Sequence, residues 1–100
     1  MMLNVEKQTN GSELTIALTG RLDTTTAPQF ESVVKESLEG VTVLNVDMEA
    51  LEYISSAGLR VLLSAQKIMN KQGEMNVRHV SETIMEIFEV TGFSDILNIQ

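Results

Sequence analysis

Two adjacent hydroxyls, Ser55 and Ser56, stand where an apolar strand-like pattern gives way to a helical one in the segment YISSAG. The pattern places Ser56 at the N-cap or in the first turn of a helix, where free backbone N–H groups favour an acceptor oxygen. One interpretation is that Ser56 simply caps the helix, since serine is a preferred N-cap residue. The other is that its hydroxyl carries a phosphate, because a helix N-terminus favours anions. The small residues Ala57 and Gly58 would leave that hydroxyl open to another protein.

Other kinds of chemistry find little support. The chain has no cysteine and one histidine, which argues against a disulfide framework, a thiolate site and a zinc cluster. The acidic residues Asp47, Glu49 and Glu52 come without a P-loop, a glycine-rich phosphate cradle, or a paired nucleophile and base. We therefore predict a protein that is not an enzyme and that has neither a cofactor nor a metal.

Size and charge narrow the class of protein. One hundred residues, 43% of them hydrophobic, predict one compact domain over residues 1–100. The net charge of -7 argues against nucleic acid as a direct partner and favours a basic protein partner. No apolar run approaches the ~20 residues of a membrane span, and the N-terminus lacks the features of a signal peptide. We expect a soluble, cytoplasmic protein that is monomeric when free.

The first half of the chain predicts a hairpin and then a helix. The strand-like runs NVEKQ and ELTIALTG flank Asn10-Gly11, a strong hairpin-turn signal. The spacing of apolar residues then changes to a helical one from Ala27 to Glu39. That helix is expected to begin at a capping box of Thr26 and Gln29 and to end before Gly40.

The second half predicts strands alternating with helices. The expected elements are a strand over 41–48, a linker over 49–54, a helix over 56–72 ended by Gly73, a strand over 74–80, and a helix capped by Ser81 and stopped by Gly92. Residues 93–100 fit either a last strand or a helical turn. Together these elements predict an α/β sandwich, with an N-terminal hairpin and a mixed β-sheet covered by three or more helices.

Two segments carry a family resemblance that extends over nearly the whole chain. These are LTGRLDTTTAPQFE before the first helix and VLNVDMEALEYISSAGLRVLL through the third strand into the second helix. The chain resembles the STAS domain family, in particular the bacterial anti-sigma factor antagonists. In that family the phosphorylated serine stands two places before the glycine, which is Ser56 here. Ser55 occupies the position of an acidic residue in the family and is a rival acceptor.

The resemblance implies a partner-switching function. The unphosphorylated form would bind an anti-sigma factor that is also a serine kinase and so free the sigma factor. Phosphorylation by that kinase would break the complex, and a serine phosphatase would restore it. The expected partner-binding residues are Asp23, Thr24, Ser55, Ser56, Ala57, Gly58 and Arg60.

Two other functions remain open at this point. One is a non-switching STAS subunit of a transporter complex or a sensory scaffold, which would bind its partners tightly without phosphate turnover. The other is a receiver-like phosphoacceptor, which would need a pair of acidic residues after the first strand. The segment LTIALTG offers no such pair, which disfavours that function.

Overall fold

A computed structural model describes residues 2–100 as one mixed sheet with helices packed against it. The elements, in chain order, are β1 Leu3–Asn10, β2 Glu13–Leu22, α1 Ala27–Ser37, β3 Val43–Ile54, α2 Ser56–Gln72, β4 Glu74–Arg78, α3 Glu82–Thr91, a single 3-10 turn Phe93–Asp95, and β5 Asn98–Ile99. The strands lie in the order β1-β2-β3-β4-β5. β1 is antiparallel to β2, and the other neighbours are parallel. The predicted α/β sandwich with an opening hairpin is confirmed.

The hairpin forms where the sequence predicts it. Asn10 pairs with Glu13 as the last rung, and Gly11 takes a left-handed conformation with φ of 64°. From β2 onward each parallel crossover advances one strand, and right-handed crossovers then place all three helices on one face. The central strands fill that face with fully buried apolar residues, among them Ile16, Leu18, Leu44, Val46 and Val77.

The opposite face of the sheet is polar and is held by a row of amides. Asn45 and Asn76 are buried there, and Asn76 Nδ2 donates to Asn45 Oδ1 at 3.0 Å. Asn98 Nδ2 extends the row by donating to Asn76 Oδ1 at 2.7 Å, and Asn45 Nδ2 donates to Glu13 Oε2 at 2.6 Å. Since buried amides are costly unless they are paired, this row satisfies polar groups across β2 to β5.

The linker predicted over 49–54 is wrong, because β3 continues to Ile54. This part of β3 pairs with the end of β2, from Thr19 with Ala50 to Leu22 with Ile54. Two irregularities in the register let the longer strand follow the shorter one. The extension carries β3 beyond the end of β4 and brings its last residue beside the last residue of β2.

Several boundaries differ from the predictions by a few residues. α1 ends at Ser37 rather than Glu39, β3 begins at Val43, and β4 ends at Arg78. The segment 93–100 contains both of the predicted alternatives, a helical turn followed by a two-residue strand. Within residues 2–100, no helix is long and apolar enough to cross a membrane.

Both ends of α3 and the C-terminal end of α2 lie at the predicted residues. Ser81 caps α3, and Gly92 ends it in a left-handed conformation. Gly73 ends α2 with a φ of 171°, which is extended backbone. A side chain at this position would collide with the backbone of Thr42, so close contact explains the glycine.

Candidate functional site

The candidate site lies where the carboxyl ends of β2 and β3 meet the first turns of α1 and α2. Leu22 pairs with Ile54 at the end of the two parallel strands. The N–H of Ser55 then donates to the carbonyl of Leu22 at 2.9 Å. This bond holds the start of α2 against the loop that leads to α1. Ligand sites in parallel sheets commonly lie at such carboxyl ends.

Ser55 and Ser56 have different roles in this geometry. Ser55 is the N-cap of α2, with extended backbone, and its hydroxyl accepts the Gly58 N–H at 3.4 Å. Ser56 is the first residue of the helix, and its side chain is exposed. Of the two positions predicted for Ser56, the first turn is therefore correct, and the cap belongs to its neighbour.

Gly58 allows α2 to begin this close to the sheet. The residue is buried, and a Cβ there would lie 2.7 Å from Leu22 Cγ and 2.9 Å from Ile54 Cγ1. Any side chain would push the first turn away from the two strand ends. The SSAG sequence thus combines a cap, an exposed hydroxyl and a close approach of helix to sheet.

Asp23 organises the loop between β2 and α1. Its Oδ1 accepts hydrogen bonds from the Thr25 N–H at 3.0 Å, the Thr25 hydroxyl at 2.8 Å and the Thr26 N–H at 3.1 Å. The hydrogen bond from the Thr25 hydroxyl is the main cause of a lowered pKa for this carboxyl. Burial is the next largest effect and opposes it, while the N–H bonds of Thr26 and Thr25 lower the pKa further. Asp23 is thus a turn-forming carboxylate beside the site.

The capping box predicted from Thr26 and Gln29 is wrong. The Thr26 side chain makes no cap bond within the described residues and instead donates to the Arg21 carbonyl at 2.8 Å. Gln29 Nε2 donates to the Leu3 carbonyl at 3.1 Å. Asp23 accepts the N–H groups at the start of α1 instead, since its backbone carbonyl also accepts the Ala27 N–H at 2.8 Å.

Arg21 and Tyr53 lie beside the site, although no pattern in the sequence selects them. They are cross-strand partners, and the guanidinium lies 4.2 Å from the centre of the tyrosine ring. Arg21 Nε also lies 3.8 Å from Asp23 Oδ2. The two side chains are neighbours only because β3 extends to Ile54 and so pairs Tyr53 with Arg21.

A cleft of about 180 Å³ opens between the first turns of α1 and α2. It brings together three of the predicted partner-binding residues, Thr24, Ala57 and Arg60. The remaining lining residues are Ala27, Pro28, Glu31 and Val61. Both Thr24 and Arg60 are exposed. Glu31 pairs with Lys35 at 3.8 Å across one turn of α1.

Asp47 of β3 does not belong to the group of residues around Ser56. Asp47 lies opposite Ala17, about 20 Å of strand before the site. Its Oδ1 is 3.0 Å from Nδ1 of His79, which follows β4 with a left-handed φ of 58°. Burial tends to raise the pKa of Asp47, but hydrogen bonds from the Glu49 N–H and His79 outweigh it, and the pKa is lowered.

The described part of the chain gathers no three acidic or histidine side chains in a geometry that would hold a metal ion. Asp47, in the interior of β3, and His79, just after β4, form an isolated pair of side chains. The chemistry of the candidate site itself rests on hydroxyl, backbone and guanidinium groups.

Comparison with known proteins identifies relatives along almost the entire chain. The sequence profile of the STAS domain matches residues 4–100. An anti-sigma-B factor antagonist from Staphylococcus aureus is 30% identical over 101 residues, which cover 99% of this chain and 94% of the relative. The anti-sigma-B factor antagonist of Bacillus subtilis is 27% identical over 100 residues, covering 99% and 92%.

Solved structures share the fold at lower identity. An anti-sigma factor antagonist from Mycobacterium paratuberculosis matches with a TM-score of 0.89 at 18% identity, covering 98% of this chain and 85% of that one. The antagonist SpoIIAA matches with a TM-score of 0.75 in its unphosphorylated form, at 18% identity with coverage of 99% and 87%. The phosphorylated form from Bacillus also gives 0.75, at 19% identity with coverage of 99% and 91%. The profile match, the relatives and the shared fold agree, and the chain belongs to the STAS domain family.

Proposed function

We propose that this protein is an anti-sigma factor antagonist whose binding is switched off by phosphorylation of Ser56. In this function the unphosphorylated form binds an anti-sigma factor with serine kinase activity and frees the sigma factor. The observation that carries the proposal is that Ser56 is exposed in the first turn of α2, while Ser55 supplies the cap. The relatives named as anti-sigma-B factor antagonists support the partner class.

The capping bond favours Ser56 over Ser55 as the phosphoacceptor. The Ser55 hydroxyl accepts the Gly58 N–H and is half-buried. A kinase that used this oxygen would have to break the cap, which is worth about 0.5–2 kcal/mol. Ser56 can be modified without any loss inside the domain. SpoIIAA, which shares the fold, is known in phosphorylated and unphosphorylated forms.

The surface around Ser56 gives the partner several points of contact. The cleft lined by Thr24, Ala57 and Arg60 lies between the two first turns, and Asp23 shapes the loop on one side of it. Arg60 stands one helical turn after Ser56 and is exposed. We assign Asp23, Gly58 and Ser55 to shaping this surface and the other predicted residues to direct contact with the partner.

Phosphorylation would act at the contact surface rather than on the fold. A phosphoryl group adds about -1.5 to -2 charges at neutral pH, and the N-terminus of a helix favours that charge. At a packed interface, the same group adds bulk and must lose its water. A penalty of about 3 kcal/mol would weaken binding more than a hundredfold. The domain would remain folded while its partner is released.

In this proposal the protein carries out no reaction of its own. The kinase is the anti-sigma factor, and a separate serine phosphatase removes the phosphate. The free protein acts as a monomer, so that one surface around Ser56 meets one partner.

The proposal can be tested by mass spectrometry after incubation with ATP and the anti-sigma factor kinase of the same organism. The wild type should gain one phosphate on the peptide that contains Ser56, and Ser56→Ala should gain none. Ser55→Asn is the matched control, because asparagine keeps a capping oxygen but has no hydroxyl. This variant should still be phosphorylated.

Two outcomes would contradict the assignment. Loss of the phosphate in Ser55→Asn but not in Ser56→Ala would move the acceptor to Ser55. Stable binding of the kinase without any phosphate transfer would instead favour the non-switching scaffold function. The first outcome leaves the switch in place, whereas the second removes it.

A further inference from the structure

Helix α3 carries two apolar stripes, although a surface helix needs only one. Ile84 and Phe88 are fully buried and pack into the core. On another side of the helix, Ile87 is half-buried and Val90 is 86% exposed. Amphipathic helices normally direct one apolar face to the core and polar residues to the solvent. Ile87 packs in part against the core, so Val90 is the residue of this stripe that the packing of the domain leaves uncovered.

The second stripe lines a shallow depression of about 300 Å³. Its lining residues are Thr83, Glu86, Ile87, Val90 and Thr91. The Thr91 hydroxyl donates to the Ile87 carbonyl at 2.7 Å within the helix. Because this hydroxyl is already paired, it offers little to a polar ligand, and the depression is suited to aliphatic side chains.

The charges on α3 indicate what could cover this depression. Its ten residues include three glutamates, Glu82, Glu86 and Glu89, and no basic residue. The same helix of a second copy would bring three more negative charges against them, which disfavours a symmetric α3-to-α3 contact. A partner with lysine or arginine around its apolar residues would be complementary.

The spacing of the stripe indicates the form of the partner. Ile87 and Val90 continue a row that begins at Thr83. The three residues stand at i, i+4 and i+7 and span about 10 Å along the helix axis. A ridge of this spacing is what a second helix packs against when side chains interdigitate. We propose that α3 is a docking site for a basic amphipathic helix of a different protein.

This docking site is separate from the surface around Ser56. α3 belongs to the crossover from β4 to β5, whereas Ser56 stands at the carboxyl end of β3 beside the start of α1. The inference does not depend on the phosphorylation proposed above, and either can fail without the other.

The probe is a synthetic amphipathic helical peptide with leucine at i, i+4 and i+7 and lysine at the flanking positions. It is titrated into the full-length ¹⁵N-labelled chain while amide chemical shifts are followed by NMR. We expect saturable shifts confined to α3, centred on Glu86, Ile87 and Val90. A peptide with glutamate in place of every lysine should bind at least tenfold more weakly, because it meets the same three glutamates.

Two variants with the same exposure separate docking from a general effect of hydrophobicity. Val90 and Met2 are 86% and 85% exposed, so polar replacements at either position should leave the fold intact. Val90→Asn should weaken binding of the basic peptide at least tenfold, whereas Met2→Asn should leave it unchanged. Glu86→Gln should weaken binding less and should reduce its dependence on salt concentration.

Three outcomes would overturn the inference. The first is the absence of saturable shifts with the basic peptide. The second is equal binding of the lysine and glutamate peptides. The third is a set of α3 shifts that depends on protein concentration without any peptide, because a second copy would then be the occupant.

Discussion

The N-termini of α2 and α3 are built on the same plan but differ in what they leave open. Each helix begins after a serine whose hydroxyl accepts the N–H three residues later. Ser55 accepts from Gly58 at 3.4 Å, and Ser81 accepts from Ile84 at 3.3 Å. The two caps are therefore equivalent in geometry, and any difference in function must arise from the residues that follow them.

The first residue after each cap shows the main difference. α3 begins with Glu82, a permanent negative charge next to the positive end of the helix. α2 begins with Ser56, and its first turn carries no acidic residue. A phosphate on Ser56 would supply at α2 the charge that α3 always has. The start of α3 carries its negative charge in the sequence, whereas the start of α2 would acquire one through the proposed phosphorylation.

The third residue differs as well, and here the reason is packing. Ile84 of α3 is fully buried and fills the core, whereas the equivalent residue of α2 is Gly58. The glycine lets the first turn of α2 approach Leu22 and Ile54. α3 is anchored by a side chain, and α2 is anchored by direct contact of its backbone with the sheet.

The largest expected effect is the loss of the α3 anchor. Ile84→Ala removes a side chain that is fully buried, and we expect the free energy of unfolding to fall by about 2–5 kcal/mol. Urea denaturation of the variant and the wild type measures this difference. A loss below about 1 kcal/mol, within the range of a mild core change, would mean that Ile84 does not anchor the helix.

Gly58→Ala tests the anchor of α2, which is the close approach of its first turn to the sheet. It adds a side chain at the third residue of α2, whereas Ile84→Ala removes one at the third residue of α3. The new Cβ meets Leu22 and Ile54, and crowding of this kind costs about 1–3 kcal/mol. Alanine regains up to about 1 kcal/mol through its helix propensity, so the net loss should be smaller than for Ile84→Ala. Denaturation measures the loss, and increased stability would contradict the proposed close approach.

The two caps should respond alike. Ser55→Ala and Ser81→Ala should each lower the free energy of unfolding by about 0.5–2 kcal/mol, and the asparagine variants should restore most of it. Thermal denaturation of the four proteins provides the comparison. If Ser55→Ala had no effect while Ser81→Ala did, the assignment of the α2 cap to Ser55 would be wrong.

A negative charge on Ser56 should have a smaller and opposite effect on stability. Ser56→Glu copies the start of α3 and should raise the free energy of unfolding by about 0.3–1 kcal/mol at low salt. Ser56→Ala should leave stability nearly unchanged, since the exposed hydroxyl holds no cap. The increase in the free energy of unfolding should be smaller when denaturation is repeated at high salt. An increase that does not depend on salt concentration would contradict its electrostatic origin.

The smallest effect concerns α1, whose preceding turn is held by a carboxylate instead of a serine. The folded-state pKa of Asp23 lies below its ordinary value of 3.8, mainly because of the Thr25 hydroxyl. The ionised Asp23 carboxylate therefore stabilises the folded state above pH 3.8, and this stabilisation is lost as the pH falls through the lowered pKa. Thr25→Val should raise the folded-state pKa of Asp23 and reduce this loss, as NMR titration of the carboxyl would show. An unchanged pKa in the variant would exclude the hydroxyl as the cause.

The local signals in the sequence predicted the elements whose causes are themselves local. Asn10-Gly11 specified the hairpin, Ser81 and Gly92 marked the ends of α3, and the change of period located the helices. The extension of β3 was missed because its residues alternate weakly and include exposed Glu49 and Glu52. Only pairing with the end of β2, across two irregularities of register, reveals it as strand.

The N-cap of α2 was predicted to within one residue. The sequence located the start of α2 but did not assign the cap to Ser55, since either serine could have filled it. The turn around Asp23 and the pairing of Arg21 with Tyr53 depend on how two loops and two strands meet. Such contacts join residues distant in sequence, and no local pattern encodes them.

Phosphorylation of Ser56 is proposed to change the surface of the domain without weakening its fold. One phosphorylated sample should be measured in two ways, by its affinity for the anti-sigma factor kinase and by its thermal midpoint. We expect the affinity to fall more than about a hundredfold, while the thermal midpoint stays equal or rises. A lowered midpoint, or an affinity unchanged by the phosphate, would contradict this proposal.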